Sequence, residues 1–464
     1  MNPDVLEATE RLIPHFLEQL SAWVRLPSVS ADGHDPELVR TCAERIRQDL
    51  DSIGFEHAQL LEVPNGGHPA VVADHLHAPD APTLLVYAHY DVQPVGDEAL
   101  WTSAPFDPQI RDGRLFGRGA VDDKAGLAIQ LVGLKSWLDT QGALPVNVKI
   151  LVEGEEEIGS PNLGYILEEH RERLEADALI ITDTANLEAG LPSLTSALRG
   201  VTGATIRVRA LSGPLHSGMF GGAVPDPVMA LAHILTRLTD EQGTVIAPEL
   251  LENVRSTNGR YQDLPFDEER FREDSGMLPG TAIAGDAGNS VWTKLWALPS
   301  ITVTAIESQT IAGSSNQVRP QAAARVSLRL VPDMNPKQAT DALCAILKRD
   351  PPMGCEVEVT PEHAGPWWDG NTTTPAHDAA RKALKEGYGV EPVDIGCGGS
   401  IPFVETITAA LGGIPAILIG LEDPACKAHA ENESLLISDF EHGCRAATRF
   451  FGYLGAMSPK ELRG

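Results

Sequence analysis

The stretch LVEGEEEIGS, residues 151–160, places Glu153, Glu155, Glu156 and Glu157 at the end of an apolar run. Carboxylates this close in sequence repel one another. A run of this kind is ordinarily a solvated acidic face. The alternative interpretation is that bound cations offset the repulsion, and the other acids and histidines of the chain favour one interpretation over the other.

Further acids and histidines follow apolar runs or precede a helix in the same way. They are His89 and Asp91 after TLLVYA, Asp122 and Asp123 in GRGAVDDKAG, Asp183 in IITDT, and His429 in KAHAENESL. Taken one at a time, each has an ordinary explanation, such as a helix N-cap or a hydrogen-bonded histidine at a strand end. Together they supply oxygen and nitrogen ligands without a thiolate, which suits a pair of divalent ions such as Zn²⁺ or Mn²⁺.

An α/β sheet is the element predicted to position these residues. The runs AVVADHL, TLLVYAHYD, VNVKILVEGEEE and ALIITDT read as buried strands, and helical patterns such as KAGLAIQLVGLKSWLDTQG lie between them. Strands that alternate with helices are typical of a sheet with parallel strands. Such sheets place their ligands at the carboxyl ends of the strands, where His89 and Asp91 fall.

The pattern changes after residue 200. TGATIRVRALS, SITVTAIES, AAARVSLRLVP and GCEVEVTP alternate polar and apolar residues, and two helical stretches separate them in the order of a split βαβ, ferredoxin-like module. Residues 247–299 are interpreted as irregular with local helix. The alternation of helices with buried strands returns at about residue 370. We therefore predict a discontinuous α/β catalytic domain, residues 1–200 and 370–464, with an inserted ferredoxin-like α+β domain, residues 201–369.

Composition excludes several classes of partner. A chain of 464 residues is too long for one hydrophobic core. Its net charge of −29 argues against nucleic acid and anionic membranes. No apolar run has the length of a membrane span, and the N-terminal residues lack signal-peptide features. The six cysteines contain no CxxC pair, which argues against a disulfide framework and favours a cytoplasmic location.

Five motifs together resemble the M20 metallopeptidases, in particular the carnosinase-like dipeptidases. They are LLVYAHYDVQPV, RLFGRGAVDDKAG, EGEEEIGS, LHSGMFGG and VSLRLVP, and they occur in the family's order over nearly the whole chain. The resemblance implies a homodimeric, two-metal hydrolase of dipeptides or short peptides, in which residues 201–369 form a lid and dimerisation domain. The implied cofactor is two divalent ions, with Zn²⁺ preferred and Mn²⁺ or Co²⁺ as alternatives.

The resemblance also implies a ligand set. Asp122 would bridge the two ions, His89 and Asp183 would complete one site, and Glu157 and His429 the other. It further implies a cis peptide bond between Asp122 and Asp123.

Two catalytic roles follow from the same resemblance. Asp91 would orient His89, and Glu156 would act as the general base on a water activated by the ions. Glu153 and Glu155 receive no catalytic role and are interpreted as part of a solvated acidic face.

Three further residues match substrate-binding positions of the family. His216 would reach the active site of the dimer partner and hold the oxyanion. Arg329 would bind the terminal carboxylate of the substrate, with Ser400 of GCGGSIPF near it. The ordinary alternatives stay open at this point: an inert exposed histidine, an arginine on a solvated face, and a plain loop.

Two other functions compete with that of a dipeptidase. One is an N-acyl amino acid deacylase, such as a desuccinylase. It would use the same chemistry on a substrate whose acyl group is an acyl tail and not an amino acid with a free α-amine. The other is an inactive metal-binding relative. The presence of Glu156, Asp91 and all five ligand positions argues against the inactive relative, because such a protein needs none of them.

Overall fold

The protein forms two compact units in a computed structural model, which describes residues 2–77, 80–252, 254, 259–399 and 402–463. The first unit comprises Met1–Ser196, Gly370–Ile395 and Phe403–Gly464. The second comprises Ala197–Asp369 and Gly396–Pro402.

The helices and strands are numbered along the chain. The first stretch contains α1 (Pro3–Val24), α2 (Pro36–Ile53), β1 (Glu56–Leu61), β2 (Ala70–His75), β3 (Thr83–His89), β4 (Gln109–Arg111), β5 (Arg114–Phe116), α3 (Lys124–Gln141), β6 (Asn147–Glu153), α4 (Leu163–Glu169), α5 (Arg171–Leu174), β7 (Ala178–Ile181) and β8 (Ser193–Leu198). The middle contains β9 (Gly200–Arg209), β10 (Leu215–His216), α6 (Ser217–Phe220), α7 (Pro227–Leu235), α8 (Pro248–Leu251), α9 (Glu268–Asp274), α10 (Val291–Trp296), β11 (Ser300–Glu307), β12 (Gln317–Val318), β13 (Gln321–Leu330), α11 (Pro336–Lys348), β14 (Glu356–Pro361) and β15 (Trp368–Asp369). The last stretch contains α12 (Pro375–Tyr388), β16 (Val393–Cys397), α13 (Pro402–Ala410), β17 (Ala416–Leu418), β18 (Ser434–Leu436), α14 (Ile437–Leu454) and α15 (Pro459–Arg463).

A six-stranded sheet in the order β1-β2-β6-β3-β7-β17 organises the first unit. Strands β6, β3, β7 and β17 are parallel, as predicted. The expectation of parallel strands is wrong for β2, which runs antiparallel to both β1 and β6. The physical reason is the connections: β1–β2 and β2–β3 have no crossover helix, and a parallel neighbour requires a long crossover.

Helices α1, α3 and α14 supply much of the core of this unit. Phe16 and Trp23 of α1, Leu131 of α3 and Phe451 of α14 are buried in one apolar cluster with the strands. Helix α3 is buried along most of its length, so its N-terminus is fixed against the sheet. The residues immediately before Lys124 are therefore held at the carboxyl edge of the strands.

The second unit contains a four-stranded antiparallel sheet in the order β11-β13-β9-β14. Helices α7 and α11 pack on it, with Ile234 and Leu343 buried against Ile206 and Val326. Chain order and spatial order together give the predicted ferredoxin-like arrangement. The long segment between α7 and β11 contains the short helices α8, α9 and α10, as its irregular pattern predicts.

Two observations concern the setting of the chain. The six cysteines are thiols rather than disulfides, and Cys42, Cys355, Cys426 and Cys444 are buried. Among the described residues, no helix combines the length and the apolar character that a membrane crossing requires.

Candidate metal centre

Four neighbouring parallel strands end at the same edge of the sheet, and each leads to an acid or a histidine there. His89 is the last residue of β3, and Asp183 follows β7 closely. Glu157 follows β6, and Glu422 follows β17. The carboxyl ends of parallel strands are where sheets of this type bind ligands. Helix α3, which starts right after the Asp122–Asp123 pair, adds two more carboxylates.

Asp122 lies between two histidines. Its Oδ1 is 3.0 Å from Nε2 of His89, and its Oδ2 is 2.9 Å from Nε2 of His429. Asp183 Oδ2 is 3.6 Å from the same nitrogen of His89, and Glu157 Oε2 is 3.3 Å from that of His429. The structure therefore brings all five predicted ligands together, with one carboxylate shared by two groups.

Among the described residues, the sets able to hold an ion at this edge contain no thiolate. Their ligand atoms lie within 4.8 Å of one another, and the sets are Asp122 with Glu157 and His429, His89 with Asp123 and Asp183, and Asp122 with Asp183 and Glu422. The donors are carboxylate oxygens and imidazole nitrogens, which suit Zn²⁺ or Mn²⁺.

The imidazole of His89 fits a metal ligand. Its Nδ1 lies 3.1 Å from the backbone carbonyl oxygen of Asp91 and donates to it, because a carbonyl only accepts. Its Nε2 is buried without a hydrogen bond and faces two carboxylates. A nitrogen lone pair aimed at acids needs a proton or a cation between them.

The pKa shifts of the clustered side chains indicate an excess of negative charge at this edge of the sheet. Hydrogen bonds that His429 donates to Asp122 and Glu157 raise the pKa of its imidazole to about 11. Although burial opposes the change, Asp183 and Asp122 raise the pKa of His89 well above its ordinary value. Burial and Asp122 also raise the pKa of Glu157. Divalent cations would balance these carboxylates without protons on the histidines.

Asp91 holds the turn that follows β6. Its Oδ1 accepts the backbone N–H of Glu156 over 3.2 Å, and its Oδ2 accepts that of Glu157 over 3.0 Å. The hydroxyl of Ser30 donates to Oδ2 over 2.7 Å. The carboxylate lies 3.6 Å from Nδ1 of His89, so the backbone carbonyl of Asp91 makes the closer contact with that ring.

Glu156 lies beside the ligand groups. Burial raises the pKa of its carboxyl well above the ordinary value, and Asp183, Glu157 and Asp122 add to the rise while His89 opposes it. A carboxyl group that accepts a proton and later returns it works best with a pKa near the operating pH.

The interpretation of Glu153 and Glu155 as a solvated face is wrong. Both side chains are buried. Glu153 accepts a hydrogen bond from the hydroxyl of Tyr87 over 2.7 Å, and burial raises the pKa of Glu153 to about 7. Glu155 accepts from the backbone N–H of His68 and from the side chain of Asn162. These two glutamates are internal structural groups.

Sequence reasoning missed Glu422 as a member of the acidic groups. Burial, with Asp122 and Asp183, raises the pKa of Glu422 well above its ordinary value. Its signal in the sequence was its place just after the apolar strand IPAILIG, the same signal that identified Asp183. Asp123, noted only beside Asp122, is buried and accepts the backbone N–H of His89. The peptide bond between Asp122 and Asp123 is cis, as expected.

Two of the predicted substrate-binding residues, His216 and Arg329, belong to the second unit. His216 is exposed at the start of α6, and its Nδ1 accepts the backbone N–H of Gly218 over 3.1 Å. Arg329 is partly buried in β13, opposite Ser300 of β11. Burial and the positive charge of Arg329 lower the pKa of Arg199 to about 10. Ser400 lies outside the described residues.

This arrangement of sheet, shared aspartate and histidine–carboxylate groups defines a metallohydrolase centre. Residues 85–452 match the model of Peptidase family M20/M25/M40. The chain belongs to this family and is a peptidase that depends on divalent metal ions.

Named relatives agree with this assignment. The chain is 33% identical to a cysteinylglycine-S-conjugate dipeptidase of Corynebacterium striatum, over 80% of this chain and 81% of that one. It is 27% identical to the beta-Ala-His dipeptidase of Rattus norvegicus, over 94% and 92%. The solved structure of the dipeptidase Dug1p from Saccharomyces cerevisiae superposes with a TM-score of 0.80 at 27% identity, over 98% of both chains.

Proposed function

We propose that this chain hydrolyses the peptide bond of dipeptides at a centre of two divalent ions, with Zn²⁺ as the native metal and Mn²⁺ or Co²⁺ as substitutes. The observation that supports it most is the shared carboxylate, since Asp122 lies within 3.0 Å of both His89 and His429. A carboxylate between two sets of ligands is the arrangement that a metal pair requires.

In this proposal the ligands divide between the two ions. His89 and Asp183 would hold one ion, Glu157 and His429 would hold the other, and Asp122 would contribute to both. When bound, the ions would lower the pKa of a water molecule and polarise the carbonyl of the substrate.

Glu156 carries the proton during the reaction. It removes a proton from the attacking water and delivers it to the nitrogen of the leaving amine as the C–N bond breaks. Its place beside both ligand groups and the upward shift of its pKa support this double role. Asp91 fixes the turn of Glu156 through the backbone.

Substrate binding is assigned to the inserted unit. In a homodimer, His216 of one copy reaches the site of the other and donates to the oxyanion, worth roughly 3–4 kcal/mol for one good donor. Arg329 and Ser400 bind the terminal carboxylate, for which the guanidinium fork of Arg329 is suited. Six cysteines in the thiol form agree with a reducing, cytoplasmic location.

The names of the relatives favour a dipeptidase over an N-acyl amino acid deacylase. An assay with a panel of substrates tests this choice. The metal-loaded enzyme is incubated with the dipeptides Cys-Gly, beta-Ala-His and Ala-Gly, and separately with N-acetyl and N-succinyl amino acids. We expect release of free amino acids from dipeptides only. Faster turnover of the N-succinyl substrates would establish the deacylase instead.

A further inference from the structure

Glu433 is a buried carboxylate just after the segment that carries His429, and it contacts the loop that carries Asp122. One oxygen, Oε2, accepts from Nη1 of Arg118 over 2.7 Å and from the backbone N–H of Gly119 over 2.9 Å. These two contacts pair the charge of Glu433 with a buried guanidinium and fix the start of the loop.

The other oxygen of Glu433 is directed at the residues next to the shared metal ligand. Oε1 accepts the backbone N–H of Val121 over 3.0 Å and lies 3.4 Å from that of Asp122. The backbone carbonyl of Glu433 also accepts the N–H of Gly117 over 3.0 Å. The loop is therefore tied to residue 433 at both of its ends.

The loop has little room to relax if these contacts are lost. Gly119 has a φ of +80°, and a Cβ there would lie 2.5 Å from Cγ1 of Val92 and 2.9 Å from Nζ of Lys124. The pairing of β5 with β18, in which Phe116 lies opposite Ser434, holds the two segments side by side. The conformation of the loop is thus specific, and the Glu433 carboxylate is its common acceptor.

We propose that Glu433 is a positioning residue that sets the placement of Asp122 relative to His429, and through it the affinity of the metal pair. This inference rests on the two-metal function proposed above. If Glu433 only stabilised the fold through an ion pair, its contact with Arg118 would be sufficient. The contacts of Oε1 with the amides of Val121 and Asp122 are what a positioning role requires, and residues behind metal ligands commonly tune affinity.

Metal titration of four variants tests this role. Glu433→Gln keeps the size of the side chain but turns an NH₂ group toward backbone N–H donors. We expect Co²⁺ affinity, measured by competition with a chromophoric chelator, to fall about 10- to 100-fold, with a changed visible spectrum of the bound Co²⁺. Glu433→Asp keeps the charge near Arg118 but withdraws the carboxylate, and it should also bind Co²⁺ more weakly.

Two controls separate positioning from stability. Arg118→Met added to Glu433→Gln removes the unpaired buried cation, so the melting temperature should recover while Co²⁺ affinity stays low. Asp439→Asn removes a different buried carboxylate, one that accepts the backbone N–H of Gly190, and should lower the melting temperature without changing Co²⁺ affinity.

Each outcome decides the matter. If Glu433→Gln or Glu433→Asp binds Co²⁺ with wild-type affinity and a wild-type visible spectrum, the positioning role is wrong. It is also wrong if the Co²⁺ affinity of the double variant recovers together with its melting temperature. If the wild-type protein binds fewer than two Co²⁺ ions per chain, the proposed two-metal function fails, and this inference fails with it.

Discussion

The backbone N–H of Glu156 donates to Oδ1 of Asp91 over 3.2 Å. The neighbouring N–H of Glu157 donates to Oδ2 of the same carboxylate, while the carbonyl of Asp91 accepts from the ring of His89. One residue therefore fixes the proposed base and a ligand from each metal group. We therefore expect any effect of Asp91 on catalysis to pass mainly through the backbone of the glutamate turn.

Replacing Asp91 tests that arrangement. An asparagine offers one oxygen where the carboxylate offers two, so Asp91→Asn loses at least one of the bonds to Glu156 and Glu157. We expect kcat for dipeptide hydrolysis to fall about 10- to 100-fold with a folded chain. Ser30→Ala, which removes only one donor to Asp91, is the matched control and should change kcat far less. Equal losses in both variants would assign the effect to general stability.

The glutamate pair has separable roles. Glu156→Gln should keep two metal ions per chain yet lose about 10²- to 10⁴-fold in kcat, because the general base is gone. Glu157→Gln should lose metal from one site. Elemental analysis and kinetics on both variants check this. A metal-poor Glu156→Gln with a metal-replete Glu157→Gln would mean that the two roles are exchanged.

Metal removal should abolish activity reversibly. The ligand groups of Asp122 contain only carboxylates and imidazoles, so a chelator should strip the ions, and Zn²⁺, Mn²⁺ or Co²⁺ should restore turnover. The measurement is dipeptide hydrolysis before and after dialysis, with metal content followed by elemental analysis. Full turnover in protein that is verified to be metal-free would rule out the metal-pair mechanism.

The trans role of His216 predicts complementation. His216→Ala and Glu156→Ala should each be inactive, and a mixed dimer should have one complete site of two. Random remixing makes half of the dimers mixed, so about a quarter of wild-type activity should return. The two variants are unfolded and refolded together, dimers are confirmed by light scattering, and hydrolysis is measured. Confirmed exchange without recovery would place His216 in its own subunit's site or in none.

A buried histidine far from this chemistry predicts acid sensitivity. Nδ1 of His377 accepts from the hydroxyl of Thr374, and Nε2 donates to the carbonyl of Ala416. Burial lowers the pKa of His377 to about 4 from a usual value of 6.5. Between these pH values the unfolded chain binds more protons than the folded chain. The stabilisation is therefore complete above pH 6.5 and is lost as the pH falls to 4, by about 3 kcal/mol in all.

Urea unfolding at pH 7 and pH 4.5 checks this. The stability of the wild-type protein relative to His377→Gln should decrease on acidification, because glutamine does not titrate. His34→Gln, at an exposed histidine, is the control and should follow the wild type at both values. A constant difference between wild type and His377→Gln would contradict the prediction.

The sequence predicts those parts of the structure that depend on local patterns. Apolar runs located the strands before His89 and Asp183, and Gly54, whose φ of +110° favours glycine, ends α2. The direction of β2 was not predictable from its composition, because strand direction depends on the connections. Glu153 and Glu155 were misjudged for a related reason: a buried glutamate is recognised by its partners, Tyr87 and Asn162, which lie elsewhere in the sequence.

The same limit explains the residues that sequence reasoning missed. Glu433 and Arg118 are 315 positions apart, and no local pattern connects them. The five ligands were predicted because the strand-end pattern grouped the acids and histidines and a family resemblance supplied the long-range information that selected among them. Glu422 follows an apolar strand as Asp183 does, but the resemblance assigns it no role, and neither a local pattern nor the resemblance marks Glu433.

The first unit takes its strands and helices from both ends of the chain, and this has a consequence for synthesis. During translation, the strands of the inserted unit leave the ribosome in one continuous stretch, and domains generally fold as units when they emerge. His429, Glu433 and helix α14 emerge after the inserted unit. The set of Asp122, Glu157 and His429 is therefore completed only after the inserted unit has been synthesised. In the proposed centre, binding of the ion at His429 would be a late step in the maturation of the chain.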